Sequence, residues 1–573
     1  MANGQLNVVL CWHMHQPWYR NGLDGEFRLP WVYLHGIKDY SDMAAHLEKH
    51  SRMRSVVNFA PVLLEQIDVY AQQLSAFLST ATPMQDKLLN LLAGVEPVPA
   101  DTAARAELIA ECQRCHAPTM IHPHAPFQRL LKMIGATDET GIGNKRFRCS
   151  LVYLSDQYFL DLLTWYHLAW LGQSLQALPS VQRLLQKGSE FNAADRRDLL
   201  SVIRDCLGDL IPRYRKLAES GRVELSMTPY MHPIVPLLNN FQNLRCSLPD
   251  APMPQATHYP DGEARSRWHL QKGIDVFQHY FGIKPQGVWL SEGGISEDAV
   301  QLLDELGIRW TASGEGVWRN SCRLSGYDSD DEHSKRSLFM PYQQPDSKVR
   351  LFFRDDGLSD LIGFKYSTWH ARDAVADFVQ HLENIAVFLN HNASNQVVPI
   401  ILDGENAWEY YPKNGAYFLD ALYAALSNSD QIKMVTFAEA SDLPTRTLPA
   451  ICAGSWVYGS FSTWIGSPDK NRGWDYLAAA KVAFDAVIAA GTLDAQQQEH
   501  VNRQLGICEG SDWFWWFGDY NSAESVRDFE RLFRQQLRKL YEMLGVAAPA
   551  YLDQPMSQGG AGVENAGTMR RNT

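Results

Sequence analysis

The sequence lacks the features that direct a protein to nucleic acid or into a membrane. Its 52 lysine and arginine residues are outnumbered by 65 aspartate and glutamate residues, the net charge is −13, and no basic block marks a phosphate-binding face. No apolar stretch approaches the ~18 uncharged residues of a membrane span. The richest, residues 159–172, contains Asp161 and His167. We therefore expect neither nucleic acid nor a membrane as a partner.

We expect neither a disulfide framework nor a leader peptide. The nine cysteines, an odd number, are scattered through 573 residues, which is typical of free thiols in a reducing compartment. The first residues lack a basic start, and their apolar run is shorter than the ~7–15 residues of a signal-peptide core. Residues 112–116 match the C-x-x-C-H haem-attachment pattern, but attachment requires export, so chance is the preferred explanation. We expect a cytoplasmic protein without a cofactor.

Short apolar segments with β-forming residues alternate with helical or loop segments. Continuous apolar strands alternating with helices are typical of a parallel sheet or barrel that is covered on its outer face. The pattern predicts a β/α barrel of eight strands or a seven-stranded relative. The candidate strands are residues 6–12, 54–59, 222–227, 287–290, 308–312, 349–353, 397–402 and 433–437.

One interval is too long for a barrel connection. Residues from about 65 to 220 are predicted to form a helical insertion, in which the clearest helix spans 193–220 and begins after the cap-like Asn192. Beyond Pro449 the strand pattern gives way to helical patterns.

These patterns predict three regions. We expect a catalytic barrel with its insertion over residues 1–448, a helical C-terminal domain over 449–548 and a disordered tail over 549–573.

Acidic residues and histidines follow several predicted strands, where barrel enzymes place catalytic groups. Glu292 follows 287–290, and its alternative role is a charge that faces the dipole of the next helix. Asp403 and Glu405 follow a buried strand, where a catalytic role is favoured over an Asp-Gly turn. Glu224 lies within 222–227.

His13 and His15 alternate along the first strand, so both imidazoles lie on one side of it. They are either a metal-binding pair or partners of sugar hydroxyls, and His13 is alternatively an ordinary core histidine. No third metal ligand is identifiable.

The chain is rich in aromatic residues, with 17 Trp, 23 Tyr and 24 Phe, many of them beside Gly, Asp or Glu. A flat ring beside carboxylates is typical of sugar binding, because the ring stacks on the C–H face of a pyranose. The alternative is that these rings pack between the barrel and the helical domain. The candidate platforms are Trp18, Trp289, Trp408, Trp464 and Trp513, with Trp408 preferred.

Five segments in order resemble the signature regions of glycoside hydrolase family 57. They are HMHQP at 13–17, GRVELSMTPYMHPI at 221–234, VWLSE at 288–292, DGENAWEYYP at 403–412 and GSDWFWWFGDY at 510–520. The fourth, with FSTWIGSPDKNRGWD at 461–475, is most similar to the amylopullulanase and α-amylase branch. Phe517, where Tyr is expected, and Ser291 before the glutamate depart from the pattern.

The resemblance implies an α/β fold, an incomplete TIM barrel or (β/α)7 barrel, with a helical domain that helps to close the active site. Residues 433–437 are dropped from the barrel on this ground alone. Glu292 is the implied nucleophile and Asp403 the implied general acid/base. Substrate-binding side chains are expected to be His13, His15, Glu224, His232, Trp289, Glu405, Trp408, Trp464, Asp512 and Trp513.

The resemblance implies a retaining glycoside hydrolase of an α-glucan that needs no metal and acts on α-1,4 linkages, with cleavage of α-1,6 linkages left open. Such enzymes need two carboxyl groups about 5–5.5 Å apart. The alternatives are 4-α-glucanotransferase or branching activity at the same site, a metal-dependent sugar hydrolase of mannosidase or deacetylase type, and a non-catalytic α-glucan-binding protein.

Overall fold

Seven parallel strands form the centre of the protein. A computed structural model describes residues 5–135, 151–328, 332–405 and 407–560. The strands are β1 (Leu6–Met14), β2 (Ser55–Phe59), β3 (Val223–Met227), β4 (Gly287–Val288), β5 (Trp310–Gly314), β6 (Tyr342–Gln343), β7 (Arg350–Arg354), β8 (Val397–Asp403), β9 (Ile432–Met434) and β10 (Arg446–Thr447). The parallel series runs β8, β1, β2, β3, β4, β5, β7.

The two edges of this series meet. Asp355 N, directly after β7, donates to Pro399 O in β8 at 2.8 Å. The remaining strands lie outside the series: β6 pairs antiparallel with β7, β10 pairs with β6, and β9 pairs with the start of β1. The predicted incomplete barrel is confirmed, and the eighth candidate strand, represented by β9, is not one of its seven.

Alternation along the strands decides which side chains enter the barrel. In β1, Val9 and Cys11 belong to the cluster inside the barrel, whereas Leu10 and Trp12 pack outside it. His13 has the same parity as Val9 and Cys11, so it continues the inner row to the carboxyl end of the strand. The inner row of β1 is therefore apolar up to the polar side chain at its carboxyl end.

The chain between β2 and β3 forms the helical insertion. The predicted helix at 193–220 is confirmed as Ala193–Glu219, and Asn192 caps it reciprocally with Asp195. The other insertion helices are Pro61–Thr80, Lys87–Ala93, Thr102–Glu111, Ala125–Met133, Asp156–Trp170, Gln173–Gln176 and Pro179–Lys187.

Further helices cover the barrel. They are Trp31–His35, Ser41–Lys49, Val235–Asn239, Leu244–Ser247, Gly262–Phe281, Glu297–Glu305, Glu315–Leu324, Glu332–Ser337, Asp356–Asp360, Ala371–Leu389, Ala416–Asn428 and Phe437–Ala440. Among the described residues, no helix combines the length and the apolar character needed to cross a membrane.

The C-terminal region packs against the barrel through a buried ion pair. Its helices are Pro468–Ala490, Ala495–Cys508, Asp512–Trp516 and Ala523–Met543. Glu509 lies 2.7 Å from both Arg265 Nη2 and His269 Nε2, on a barrel helix. Burial alone would raise the pKa of Glu509, but Arg265 and His269 lower it to about 2. The pair fixes the chain just before Ser511 and Asp512.

The predicted disordered tail lies partly within the described residues. Residues 549–560 contain a 3₁₀ turn at Ala550–Asp553 and the buried Met556, which differs from the expectation for that segment. The residues after 560 lie outside the described part of the chain.

Candidate active site

Three histidines stack at the carboxyl end of the barrel. His13 and His15 come from the end of β1, and His232 comes from the loop after β3. The rings of His15 and His232 are 3.7 Å apart between centroids and 16° apart in plane. The His13 ring lies 5.6 Å from His15 and 5.3 Å from His232, again nearly parallel.

Hydrogen bonds orient each ring. His13 Nδ1 donates to Asn58 Oδ1 at 2.7 Å, and His15 Nε2 donates to the Asp512 carboxylate at 2.8 and 3.0 Å. His232 Nδ1 lies 2.9 Å from Ser511 Oγ, and that hydroxyl has a carboxylate acceptor for its proton. In a neutral imidazole held this way, the other ring nitrogen is an acceptor, suited to a ligand hydroxyl.

Two of the three rings, His13 and His232, resist protonation. Burial is the main cause, and the neighbouring His15 the second, of a pKa of about 3 for His13. Burial and the two neighbouring imidazoles hold the pKa of His232 well below its ordinary value. Both rings are therefore neutral at pH 7.

The same cluster supplies the third histidine that the sequence did not identify for a metal site. Nitrogens of His13, His15 and His232 lie within 4.8 Å of one another. A ligated metal ion lies in the plane of each imidazole, about 2.0–2.1 Å from its nitrogen. Because these rings occupy nearly parallel stacked planes, their lone pairs do not converge on one point. The arrangement fits hydroxyl binding better than metal binding.

Glu292 stands on a strained turn, Ser291–Gly293, a short distance past the end of β4. Its backbone has φ 60° and ψ 23°, a left-handed conformation that costs a non-glycine residue about 1–3 kcal/mol. Trp456 N donates to Glu292 O at 3.0 Å, which helps to hold the turn. The next helix begins only at Glu297, so Glu292 is outside its first turn. Strain of this kind is concentrated at functional sites.

Two donors from the region after the barrel bind the Glu292 carboxylate. Ser511 Oγ donates to Oε1 and Trp456 Nε1 donates to Oε2, each at 3.2 Å. The pKa of Glu292 is raised well above its ordinary value, mainly by burial and secondly by the charges of Asp512 and Asp403. The two hydrogen bonds lower it and so oppose that rise. Burial therefore disfavours the ionised form of Glu292, and the two donors partly offset this effect by stabilising the carboxylate.

Asp403 ends β8 opposite His13 in β1. It is partly exposed, whereas Glu405 beyond it is buried. Gln16 Nε2 donates to Glu405 Oε1 at 3.2 Å. Burial and then the charge of Asp403 raise the pKa of Glu405 well above its ordinary value. The loop therefore presents a coupled pair of carboxyl groups, one open to solvent and one enclosed.

One small cavity collects these groups. Its lining residues are His13, His15, Gln16, Pro17, Tyr19, His232, Glu292, Asp403, Glu405, Asp512 and Trp516. Seven of the predicted site residues are thus together: His13, His15, His232, Glu292, Asp403, Glu405 and Asp512.

Glu224 does not reach this cavity. It is the second residue of β3, near the amino-terminal end of the barrel, where its oxygens accept from Trp310 Nε1 at 2.7 Å and Ala438 N at 2.8 Å. Its carboxylate is therefore an internal structural contact, in place of the predicted sugar contact.

The predicted tryptophan platforms are buried in packing. Trp18, Trp289, Trp408, Trp464 and Trp513 are each 3% exposed or less. Their indole contacts are internal: Trp408 Nε1 donates to Gly404 O, Trp18 Nε1 to Gly22 O and Trp513 Nε1 to Ile507 O, all at 2.8 Å. The alternative reading of these rings, as packing residues, agrees with their positions.

Several site residues were missed by sequence reasoning. Ser511 adjoins the predicted Asp512, so its motif could have indicated it, but nothing marked Trp456 or Asn58. Of the two departures noted in the sequence, Phe517 is buried against Phe514 and Phe533, and the buried hydroxyl of Ser291 has no hydrogen-bond partner among the residues that the structure describes.

The sequence model of glycosyl hydrolase family 57 matches residues 9–451, well over half of the chain. The protein belongs to this family. The predicted resemblance is therefore confirmed, and the shared family is one of glycoside-active enzymes.

Solved structures of the family have the same fold. The branching enzyme from Pyrococcus horikoshii is 16% identical, with a TM-score of 0.53 and 98% of each chain covered. The α-amylase AmyC from Thermotoga maritima is 13% identical, with a TM-score of 0.52, 96% of this chain covered and 97% of that one. The branching enzyme from Thermococcus kodakaraensis is 15% identical, with a TM-score of 0.54, 94% of this chain covered and 90% of that one.

Proposed function

We propose that the protein is a retaining glycoside hydrolase of α-glucans, with Glu292 as nucleophile and Asp403 as general acid/base. The observation that carries the proposal is that these two carboxyl groups, from the ends of β4 and β8, line one cavity. A retaining double displacement requires such a pair, one group to attack the anomeric carbon and one to protonate the leaving oxygen.

The surroundings of each carboxyl group suit its proposed role. The nucleophile must be ionised, and the Trp456 and Ser511 donors stabilise that form. The acid must carry a proton and then exchange it, and Asp403 is the more exposed of the two and lines the cavity beside the Glu405 carboxyl group. The neutral histidines would accept hydrogen bonds from the sugar bound at the nucleophile.

The acceptor of the second step decides the reaction. After the glycosyl-enzyme forms, ionised Asp403 would activate either water, which gives hydrolysis, or a sugar hydroxyl, which gives transfer. The solved relatives include a branching enzyme, an α-amylase and the 4-α-glucanotransferase from Thermococcus litoralis. We propose hydrolysis of the amylase and amylopullulanase type, with transfer as the alternative.

Product analysis tests the proposal. The purified protein is incubated with maltoheptaose, pullulan and glycogen, and the products are separated by length and linkage. Shorter maltooligosaccharides with α-configured new ends are the expected result, because two inversions restore the configuration. Longer chains or new branch points would show that the enzyme transfers glucan chains instead of hydrolysing them. Products released first in the β configuration would refute the double displacement.

Two variants link the products to the site. Glu292→Gln is nearly isosteric but cannot form a glycosyl ester, so a loss of several orders of magnitude is expected. Asp403→Asn should reduce turnover of maltooligosaccharides far more than turnover of activated aryl glycosides, which need no proton on leaving. A Glu292→Gln protein that keeps a tenth of the rate would remove Glu292 from the nucleophile role.

A further inference from the structure

A chain of hydrogen bonds joins the loop after β1 to Glu405. Tyr19 Oη donates to Gln16 Oε1 at 2.8 Å, and Gln16 Nε2 donates to Glu405 Oε1 at 3.2 Å. All three residues line the same cavity as Asp403, and each is 4% exposed or less. Two residues to which the proposed mechanism gives no role are therefore connected to the acidic loop after β8.

The position of Tyr19 is fixed by residues from two other parts of the fold. Gln66, on the helix Pro61–Thr80, is fully buried. Its Oε1 accepts from Tyr19 N at 3.0 Å, and its Nε2 donates to Pro17 O at 2.8 Å. The Tyr19 ring packs edge to face on Phe529, with 6.1 Å between centroids. Because its backbone and its ring are both held, Tyr19 presents its hydroxyl to Gln16 from a fixed position.

The chain occupies only one oxygen of Glu405. Gln16 contacts Oε1, whereas the buried Oε2 has no hydrogen-bond partner among the residues that the structure describes. A buried carboxyl oxygen without a partner costs free energy, and this carboxyl group lines the cavity in which the sugar would bind. A sugar hydroxyl placed there would supply the missing donor.

The charges around Glu405 show what Gln16 contributes. Burial and the charges of Asp403 and Asp39 raise the pKa of Glu405, and the Gln16 hydrogen bond opposes that rise. Asp39 is itself paired, since it accepts from Lys38 Nζ at 2.7 Å and from His35 Nδ1 at 2.6 Å. The titratable groups that face Glu405 are Asp403, Asp39, Tyr19 and Tyr40. Gln16 is thus a neutral donor placed among acids and phenols.

We propose that Gln16 and Tyr19 are positioning residues that hold the Glu405 carboxyl group beside Asp403 and leave its second oxygen for a hydroxyl of the bound sugar. The inference rests on the proposed function, in which Asp403 is the general acid/base. Because the Gln16 N–H stabilises ionised Glu405, its loss makes Glu405 keep its proton to higher pH. Asp403 then loses its own proton at lower pH, since no neighbouring charge opposes its ionisation.

The pH profile of kcat/KM tests the chain. Gln16→Leu removes the donor to Glu405, and Tyr19→Phe removes only the hydroxyl that holds the Gln16 amide. For maltooligosaccharides, the basic limb should move to lower pH by about one unit in Gln16→Leu and by less in Tyr19→Phe. Activated aryl glycosides, which need no acid, should show no such shift.

The matched control is Tyr33→Phe. It removes a hydroxyl that is also buried but lies 2.9 Å from His167 Nε2, on an insertion helix. Its basic limb should coincide with that of wild type. A limb that moves equally in Tyr33→Phe and Tyr19→Phe would overturn the proposal.

Double variants show whether both residues act through Glu405. In a Glu405→Gln protein, the addition of Gln16→Leu or Tyr19→Phe should move the basic limb no further. Shifts that add in the double variants would overturn the proposal. So would a limb that moves in Glu405→Gln but in neither single variant of the chain.

An infrared titration of the ligand-free protein gives a readout that needs no turnover. The carboxyl band that is lost in Glu405→Gln reports the protonation of Glu405, and its pH midpoint should rise by about one unit in Gln16→Leu. An unchanged midpoint would overturn the proposal whatever the enzyme assays show. A midpoint that rises while both substrate types keep the same basic limb would refute Asp403 as the general acid and leave the positioning of Glu405 supported.

Discussion

Trp456 Nε1 lies 3.2 Å from Glu292 Oε2, so an indole from the region after the barrel holds the proposed nucleophile. The same indole packs edge to face on Trp289, with 5.2 Å between ring centroids, and Arg354 lies 5.1 Å above it. The helical region therefore contributes to the chemistry of a carboxylate that the barrel positions. Trp456→Phe keeps an aromatic side chain and removes the donor, so a second Trp→Phe variant that makes the same change in ring size separates the hydrogen bond from packing.

Trp456→Phe should make the enzyme more sensitive to acid. Loss of the donor raises the pKa of Glu292 further, and since only the ionised form attacks, the acid limb of the kcat/KM profile should move to higher pH. A loss of about tenfold is expected below the shifted limb, with a smaller loss above it.

The control for this variant is Trp464→Phe. Trp464 is fully buried, whereas Trp456 is partly exposed, and the Trp464 ring packs on Trp515. A profile that moves equally in both variants, or in neither, would mean that the Trp456 hydrogen bond does not set the ionisation of the nucleophile.

Glu405→Gln should act on the opposite limb. Burial and then the charge of Asp403 raise the pKa of Glu405, because the second of two neighbouring carboxyl groups ionises against the charge of the first. Removing one charge lets Asp403 lose its proton at lower pH, so the basic limb for maltooligosaccharides should move to lower pH. Activated aryl glycosides, which need no acid, should show no such shift. A basic limb that is unchanged for both substrates would mean that Glu405 does not influence the ionisation of the general acid/base.

The strand ends were predictable because they depend on local patterns. A run of apolar β-forming residues that ends in Asp403 specifies both a buried strand and a rim carboxylate, and the same holds for His13 at the end of β1. The β4 strand has only two residues, but the glycines after Glu292 still indicated an open turn. Parallel strands then bring their ends together without further information.

Contacts made across the fold were not predictable in the same way. Glu224 and Asp403 are both acids in buried strands, and only the position along the barrel separates an internal contact from a rim residue. The Trp456 contact joins two segments whose meeting depends on how the region after the barrel docks. Similarly, composition shows that the chain is rich in tryptophan, but it does not show which tryptophans bind sugar and which pack in the core. That distinction depends on tertiary packing.

Glu224→Gln should reduce stability and leave catalysis intact. The carboxylate accepts from Trp310 Nε1 and Ala438 N on separate oxygens, and an amide keeps only one acceptor oxygen. We expect about 1–3 kcal/mol less stability to urea, because one buried N–H loses its partner. The value of kcat/KM per folded molecule should stay within about twofold of wild type. A large loss of kcat/KM at unchanged stability would instead support the predicted role of Glu224 in substrate binding.

Activity should survive exhaustive chelation. The proposed carboxylate pair needs no Lewis acid, and the stacked rings of His13, His15 and His232 do not direct their lone pairs to a common point. Metal analysis of the purified protein before and after treatment with EDTA provides the measurement. Stoichiometric zinc whose removal abolishes activity, and whose return restores it, would favour the metal-dependent hydrolase.

Trp408→Phe decides between the two readings of the most favoured tryptophan. Trp408 is 1% exposed, packs at 5.6 Å on Trp12 and donates to Gly404 O, so it braces the loop that begins at Asp403. We expect the smaller ring to leave a cavity and an unpaired carbonyl, with a loss of about 2–4 kcal/mol in stability. A residue of the core should not change the ratio of kcat/KM for maltose to that for maltohexaose, measured well below the melting temperature. Trp12→Phe is the matched control, since it alters the same packing from the barrel side. If Trp408→Phe alone changed the chain-length ratio in a folded protein, the ring would contact the glucan after all, and the loop would have to open when substrate binds.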